Sequence, residues 1–376
     1  MAAESGDAKL RTPRIQCRTA PAHIAQDATP SHITRFFFLL LAVVGAIQPG
    51  YAQINGEWKT IRADHSLSSE VLPAPAQDTF VSFRKPDGLI LSQGNLYFTS
   101  HDAAGATVWR TSQTSIPGQE TVLYWEAGAL FGDIVFAKVD GVFFGYFFAE
   151  SPANFKGILI KRVPLTGGPA TVLANVGNNI DIANSHRNLV TDGESLFWQD
   201  DQAIRKMPIR GGAITALDPV SPNTPTAGIE LQNGSVIVYA SVQNIRFVPT
   251  SGTNTTPVSR TIAVAAGRVT ALHAVSNGTY WGDQGPDSGS LHLRVAGVTT
   301  TLAGPGGIVS SISTKGPAAG GAQAWTVCSG ASCSLRLVFP GLNSTTVIGN
   351  DALGVTVTPS GNVFWGDAAG VHRKIF

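Results

Sequence analysis

The stretch that decides the fold runs from Ser195 to Leu217 and reads SLFWQDDQAIRKMPIRGGAITAL. The segment LFWQ predicts a strand, DD a polar turn, and AIRKMPI a second strand. The pair GG then predicts a turn into a third strand, AITAL. The unit is therefore a run of short strands joined by tight turns.

Versions of this unit recur along the chain. The pattern W-x-D, formed by Trp198 and Asp200, returns twice, and its tryptophans are 83 and 84 residues apart, which is two units each. Aromatic residues occupy the midpoints and the positions 50 and 100 residues before Trp198. The seven aromatic marks are Phe98, Phe148, Trp198, Tyr239, Trp281, Trp325 and Trp365.

A period of about 40–50 residues with four short strands per unit is typical of a β-propeller. Each sheet of a propeller packs against a neighbour on both faces, so its inner strands are apolar on both sides. The run VFFGYFF at 142–148 has this character. The sequence predicts an all-β, seven-bladed β-propeller, because one blade alone cannot bury two apolar faces.

The last unit is one strand short. It contains predicted strands at 354–358, 362–367 and 371–376, after which the sequence ends. An unpaired edge favours aggregation, so we expect a strand near the N-terminus to complete the blade. Residues 79–84 are the first choice for this strand, and residues 57–62 are the alternative.

The first 52 residues differ from the rest. Scattered basic residues end at Arg35, and the apolar run FFFLLLAVVGAI at 36–47 follows. Such a run before small residues predicts an export signal cleaved after Ala52, and it is shorter than the ~20 residues that span a bilayer. We expect a leader at 1–52, a linker at 53–78 and the propeller at 79–376, in a secreted or periplasmic protein with no membrane anchor after cleavage.

The positions of the cysteines and the balance of charged residues limit which sites and partners the sequence predicts. Cys17 lies in the leader, which leaves Cys328 and Cys333 in CSGASC. Export and the short spacing favour a disulfide between them, and the alternative of a metal pair has no nearby ligands to complete it. The chain has 26 Lys and Arg against 25 Asp and Glu, a balance that argues against a nucleic-acid partner. We expect a monomer.

The segments FWQDDQAIRKMPIRGGAITAL and FWGDAAGVHRKIF resemble the YWTD repeat of receptor-type propellers. The exported setting and the Gly-Gly turns are also similar to bacterial TolB-like and NHL-like propellers. YWTD propellers have six blades, so six blades is the alternative to the seven marks. The resemblance implies the architecture and no particular activity.

Two sets of residues are candidates for chemistry. Asp200, Asp283 and Asp367 recur at one place in the repeat; they predict either a site for a structural Ca²⁺ ion or hydrogen bonds to the backbone, as the YWTD resemblance implies. His101, His186 and His273 are candidate catalytic residues, since some propeller lyases and lactonases use a histidine above the central channel.

The sequence favours a binding module without a cofactor over an enzyme. We expect recognition of a protein or a cell-surface or cell-wall glycan through the loops at 151–155, 284–288 and CSGASC, because loops on a rigid scaffold carry such sites. The alternative is a lyase or hydrolase, with or without a metal, whose single site lies over the channel.

Overall fold

The computed structural model describes residues 50–54, 57–61, 67–71, 79–82, 84–150, 157–177, 180, 188–220, 227–252, 259–285, 290–303, 306–314, 323–330, 332–338, 346–350, 352, 354–358 and 362–375. Every regular element in this part of the chain is a β-strand.

The first three strands form a small sheet of their own. They are β1 (Gly50–Ile54), β2 (Glu57–Ile61) and β3 (Leu67–Val71), in the order β1-β2-β3. The segment predicted as a linker therefore contains strands, while the division into leader, linker and propeller stays a prediction. The apolar run at 36–47 lies outside the described residues.

The next strand in the chain is β4 (Thr79–Ser82), and six four-stranded antiparallel blades follow it, each in chain order. Blade 1 contains β5 (Gly88–Ser92), β6 (Asn95–His101), β7 (Gly105–Ser112) and β8 (Thr121–Ala127). Blade 2 contains β9 (Leu130–Val139), β10 (Val142–Glu150), β11 (Ile158–Pro164) and β12 (Thr171–Gly177). Blade 3 contains β13 (Leu189–Thr191), β14 (Ser195–Gln199), β15 (Ala203–Pro208) and β16 (Thr215–Pro219).

Blades 4 to 6 repeat this order. Blade 4 contains β17 (Ile229–Gln232), β18 (Val236–Ser241), β19 (Asn244–Pro249) and β20 (Arg260–Val264). Blade 5 contains β21 (Val269–Val275), β22 (Gly278–Asp283), β23 (Leu291–Val295) and β24 (Val298–Ala303). Blade 6 contains β25 (Ile308–Thr314), β26 (Gln323–Ser329), β27 (Ser332–Val338) and β28 (Thr346–Asn350).

Blade 7 joins the two ends of the ring. Its strands are β29 (Gly354–Val357), β30 (Val363–Gly366) and β31 (Val371–Lys374), and the fourth is β4. Strand β4 pairs antiparallel with β31, with His372 opposite Phe80. The predicted closure by residues 79–84 is confirmed, and the alternative at 57–62 is wrong because β2 pairs with β1 and β3 instead.

The blades close into a circle. The first strand of each blade contacts the first strand of the next, and β29 of blade 7 contacts β5 of blade 1. Seven separate clusters of buried apolar side chains fill the seven junctions between neighbouring blades. The protein is a seven-bladed β-propeller, and the six-bladed alternative is wrong.

Six of the seven aromatic marks occupy equivalent places on the second strand. Each packs into the cluster shared with the preceding blade, as Trp198 does between blades 2 and 3. Phe148 is the exception, because it packs in the cluster shared with the following blade. Phe147 takes the place between blades 1 and 2. The predicted mark at 148 is therefore wrong by one residue, since successive side chains of a strand point to opposite faces and the two adjacent phenylalanines face different blades.

Tyr280 allows a test of the junction between blades 5 and 6. The side chain is fully buried, and desolvation raises the pKa of Tyr280 to about 12. The pKa of Tyr280 in the folded protein is above the ordinary value of 10.0. The contribution of this side chain to the free energy of unfolding is therefore intact below pH 10 and is lost as the pH rises toward 12. At about 1.4 kcal/mol per unit, we expect a loss of order 2–3 kcal/mol from this residue.

The measurement is urea unfolding of the wild type and Tyr280→Phe at pH 8 and pH 11.5. The phenylalanine variant should lose less stability on going to the higher pH, because it has no hydroxyl to ionise in the unfolded chain. An equal loss in both proteins would show that Tyr280 ionises freely in the folded ring.

Candidate functional site

The three aspartates of the W-x-D pattern hold the turns between the second and third strands of their blades. Asp200 Oδ1 accepts hydrogen bonds from the backbone N–H groups of Gln202 and Ala203, at 2.9 and 2.8 Å. Asp283 and Asp367 accept similar bonds within their own turns, at 2.8–3.0 Å. Short acidic side chains stabilise turns in this way.

The second carboxylate oxygen of each aspartate faces a basic side chain on the third strand. The pairs are Asp200 with Arg205 (2.6 Å), Asp283 with His292 (3.7 Å) and Asp367 with His372 (2.7 Å). The basic residue lies opposite the repeated tryptophan in the strand register. Both histidines also stack on their tryptophans, with ring centroids 5.4 and 5.0 Å apart. Tryptophan, aspartate and base therefore form one repeated structural unit.

The structure does not bring the three aspartates together, since they belong to blades 3, 5 and 7. Within the described ranges, no three His, Cys, Asp or Glu side chains form a group that could hold a metal ion. The Ca²⁺ site at these residues stays a prediction.

We expect Asp200→Ala to lower the free energy of unfolding by about 1–3 kcal/mol, because two turn N–H groups and Arg205 lose their acceptor. Glu194→Ala, at an exposed turn of the same blade, is the control and should change little. Urea unfolding measures both. Thermal melting of the wild type with EDTA and then with Ca²⁺ tests for a bound ion. A melting temperature that EDTA lowers and Ca²⁺ restores would contradict a role of these aspartates limited to hydrogen bonds and ion pairs.

His101 contacts a residue of the central channel. It ends strand β6, its side chain is 44% exposed, and its Nδ1 is 2.6 Å from Asp87 Oδ2. Asp87 lines the channel that runs through the ring. His101 is therefore linked to the channel wall by its contact with the carboxylate of Asp87.

His273 is part of the channel wall. Its Nδ1 lies 3.2 Å from Glu230 Oε1 in blade 4, and its Nε2 lies 3.3 Å from Thr314 Oγ1 in blade 6. The two contacts join carboxylate, imidazole and hydroxyl across three successive blades. Of the predicted histidines, only His273 is placed by the structure in such a chain, and His186 lies outside the described residues.

A ring of seven residues surrounds the channel, one from the first strand of each blade. Each comes directly after the residue that pairs with the buried aromatic side chain of the second strand. All seven line a cavity of about 330 Å³. This channel ring consists of Ile90, Val135, Val190, Glu230, His273, Ser313 and Thr356.

The channel ring divides into two arcs. Blades 1 to 3 contribute the apolar arc, which is Ile90, Val135 and Val190. Blades 4 to 7 contribute the polar arc, which is Glu230, His273, Ser313 and Thr356. The seven-fold repeat of the scaffold is therefore broken at the channel.

Glu230 and Thr314 were not predicted from the sequence. The signal that could have found Glu230 is the alignment of the first strands on the residue opposite each aromatic mark. Thr314 comes one residue after this position and has no such signal. The next position then reads Ile, Val, Val, Glu, His, Ser and Thr around the ring. A change from β-branched apolar to polar residues at one repeat position marks the channel.

The predicted loop surfaces are described only in part. Residues 151–155 lie outside the described residues, as do 286–288 of the second loop. Cys328 and Cys333 face each other across the β26–β27 hairpin, and their sulfur atoms are 2.09 Å apart. The described residues contain no helix of the length and apolar character needed to cross a membrane.

Comparison with known proteins identifies the fold alone. No protein-family model matches the chain, and no curated protein matches it. Among solved structures, the WD40 β-propeller domain of Doa1 is 12% identical with a TM-score of 0.57, over 80% of this chain and 95% of that one. A streptogramin B lyase is 13% identical with a TM-score of 0.57, over 79% and 96%.

A chain of the Mitotic Checkpoint Complex is also similar, with 13% identity, a TM-score of 0.54 and coverage of 82% of this chain and 96% of that one. The predicted resemblance to β-propeller proteins is confirmed. One of these neighbours is an enzyme and another belongs to a protein complex, so the fold does not decide between catalysis and binding.

Proposed function

We propose that the protein is a binding propeller that holds a small ligand in its central channel. The observation that carries this proposal is the divided channel ring. Blades 1 to 3 show that apolar side chains fill this position without loss of the fold. Polar groups at the same position in blades 4 to 7 lose part of their hydration, which a purely structural role does not require.

The size and lining of the channel support the same proposal. A cavity of about 330 Å³ is at the lower end of the range of ligand pockets, about 300–1,000 Å³. Such pockets combine apolar walls with a few oriented polar groups, which is the composition of the two arcs. A ligand of this size would contact several blades at once.

Gly354 offers a direct test of the channel. It lines the cavity, a Cβ built on it has no atom within 4 Å, and its φ lies outside the left-handed region. A larger side chain at 354 should therefore extend into the channel without backbone strain. Gly354→Phe should abolish binding of small ligands found by NMR screening, whereas Gly354→Ala should retain it. Ligands that bind both variants alike would overturn the proposal, provided that both melt like the wild type.

The wider proposal is an exported, monomeric module whose loop face also recognises a protein or a surface glycan. The Cys328–Cys333 pair supports an oxidising compartment. Sequencing the N-terminus of the protein recovered from its native host tests export, and a mature protein that begins before residue 36 would argue against it.

The contacts of His273 favour one alternative, an acyl hydrolase. A hydroxyl group lies next to Nε2 of the imidazole, and a carboxylate lies next to Nδ1. In hydrolases with this arrangement the hydroxyl is the nucleophile, the histidine is its general base and the carboxylate orients the histidine. Thr314 Oγ1 would attack an ester carbonyl and pass its proton to His273, the alcohol would leave with that proton, and water would release the acid. Hydrolysis of p-nitrophenyl butyrate that is lost in Thr314→Val and His273→Gln, with folding intact, would favour the enzyme.

A further inference from the structure

Arginine or lysine occupies one repeat position on the third strand of four blades. In the strand register, this position comes directly after the residue opposite the aromatic side chain that fills the junction with the preceding blade. The four residues are Arg110, Arg162, Lys206 and Arg373. Three of them donate a hydrogen bond to the first carbonyl after the third strand of the next blade, and so link the two blades. These bonds join Arg110 to Leu165 (3.1 Å), Lys206 to Thr250 (2.8 Å) and Arg373 to Gln113 (2.7 Å).

Arg162 is the exception at this position. The equivalent carbonyl in blade 3 belongs to Ile209, but Arg162 Nε and Nη1 are buried and have no hydrogen-bond partner. The guanidinium group lies 4.9 Å from the centroid of the Phe144 ring, a contact that attracts a cation without supplying a negative charge. Buried donors without an acceptor are rare in native structures. These two nitrogen atoms therefore need an acceptor that the described part of the chain does not supply.

A second guanidinium group belongs to the same turn of blade 3. Arg210 directly follows Ile209, and its Nη1 and Nη2 each donate a hydrogen bond of 2.6 Å to the carboxylate of Asp140. The hydrogen bonds from Arg210 and, with a smaller effect, the charge of Arg162 lower the pKa of Asp140. Both arginines are therefore close to one carboxylate. Since this carboxylate pairs with Arg210, no described carboxylate forms an ion pair with Arg162.

Tyr146 supplies a third donor at this place. It pairs with Arg162 in the strand register, its side chain is fully buried, and its hydroxyl has no hydrogen-bond partner. Burial raises the pKa of Tyr146, and the nearby guanidinium groups of Arg162 and Arg210 oppose this rise. The hydroxyl is therefore close to both cations without reaching hydrogen-bond geometry with either. A buried hydroxyl beside two cations is suited to donate to an anion.

We infer that Tyr146, Arg162 and Arg210 form a site for a small oxyanion, a phosphate or carboxylate group, between blades 2 and 3. Arginine binds such groups through charge-assisted hydrogen bonds to their oxygen atoms. The three residues do not line the central channel, so this site is separate from the proposed channel function. Asp140 competes with the oxyanion for Arg210. Their ion pair is exposed, and exposed pairs cost little to open.

Other occupants fit this place less well. A cation would meet two guanidinium groups and one carboxylate. A water molecule would accept a hydrogen bond from Tyr146 but would not balance the charge of Arg162. A chloride ion would balance the charge, but it has no separate oxygen atoms for the three donors.

The experiment titrates inorganic phosphate, phenyl phosphate and acetate into the full chain by isothermal titration calorimetry, in sodium chloride at constant ionic strength. We expect phosphate to bind and to raise the melting temperature, because a ligand of the folded state stabilises it. Phenyl phosphate that binds as tightly as inorganic phosphate would assign the site to a phosphate group on a larger molecule. Acetate that binds most tightly would assign it to a carboxylate. Each of these results supports an oxyanion site.

Arg162→Met and Arg110→Met are a matched pair, because both remove a base from the same repeat position. Arg162→Met should weaken phosphate binding at least about tenfold, a difference of about 1.4 kcal/mol, whereas Arg110→Met should bind phosphate like the wild type. Without phosphate, Arg162→Met should melt no lower than the wild type, because it removes a partly buried charge that has no ion-pair partner. Arg110→Met should melt lower, because it loses its bond to Leu165.

Two further variants test the other parts of the site. Asp140→Asn frees Arg210 and should bind phosphate more tightly, and asparagine tolerates the positive φ of 49° at this turn. Tyr146→Phe removes one donor and should weaken phosphate binding. Gly354→Phe, in the channel, should leave it unchanged. Thermal melting checks that each variant folds.

Three results would overturn the inference. The first is that none of the three anions binds above the chloride background. The second is that Arg162→Met binds phosphate as well as the wild type, and the third is that Arg110→Met loses as much affinity as Arg162→Met. If Arg162→Met does not fold, unchanged affinity in both Tyr146→Phe and Asp140→Asn overturns it instead.

Discussion

Replacing Trp325 by alanine is expected to lower the free energy of unfolding by about 3–5 kcal/mol, the usual cost of removing a large aromatic side chain from a core. Trp325 lies on β26, is fully buried, and packs in the cluster between blades 5 and 6. Its removal opens a cavity between two sheets that cannot collapse toward each other without moving the rest of the ring. Urea unfolding followed by circular dichroism measures the loss.

Trp125→Ala is the matched control, because the same atoms are removed from an outer strand. Trp125 lies on β8 and is 52% exposed. We expect its replacement to cost about 1 kcal/mol or less. Equal losses in the two variants would contradict the view that the repeated aromatic residues stabilise the junctions between blades.

The architecture was readable from the sequence because one physical requirement recurs in every blade. A large buried side chain on the second strand fills each junction, so aromatic residues return at a nearly constant spacing. The prediction failed at Phe148 because spacing counts residues, whereas the strand register depends on backbone pairing. Side chains alternate along β10, so Phe147 and Phe148 face opposite blades, and a count of residues does not tell which of the two fills the junction with blade 1.

The candidate site was harder to predict because it departs from the repeat. His273 was a candidate on residue type alone, while Glu230 and Thr314 come from two other blades and are far from it in sequence. Their contacts depend on closure of the ring, which places neighbouring first strands side by side. By contrast, the aspartates drew attention through their regularity, and the structure shows them in turns.

Chains that begin at residue 77 and at residue 85 should behave differently, because only the first keeps β4. Without Thr79–Ser82, the edge of β31 loses its partner and the fully buried Val81 is missing from the cluster between blades 7 and 1. Exposed edges and apolar surface favour association. We expect the shorter chain to aggregate or to melt well below the longer one, as measured by size-exclusion chromatography and thermal melting.

A peptide of residues 77–86 added in trans should restore part of the stability, since a supplied strand can pair with an open sheet edge. If both chains are monomeric and melt at the same temperature, β4 is dispensable and the ring is held closed by the contact between β29 and β5 alone.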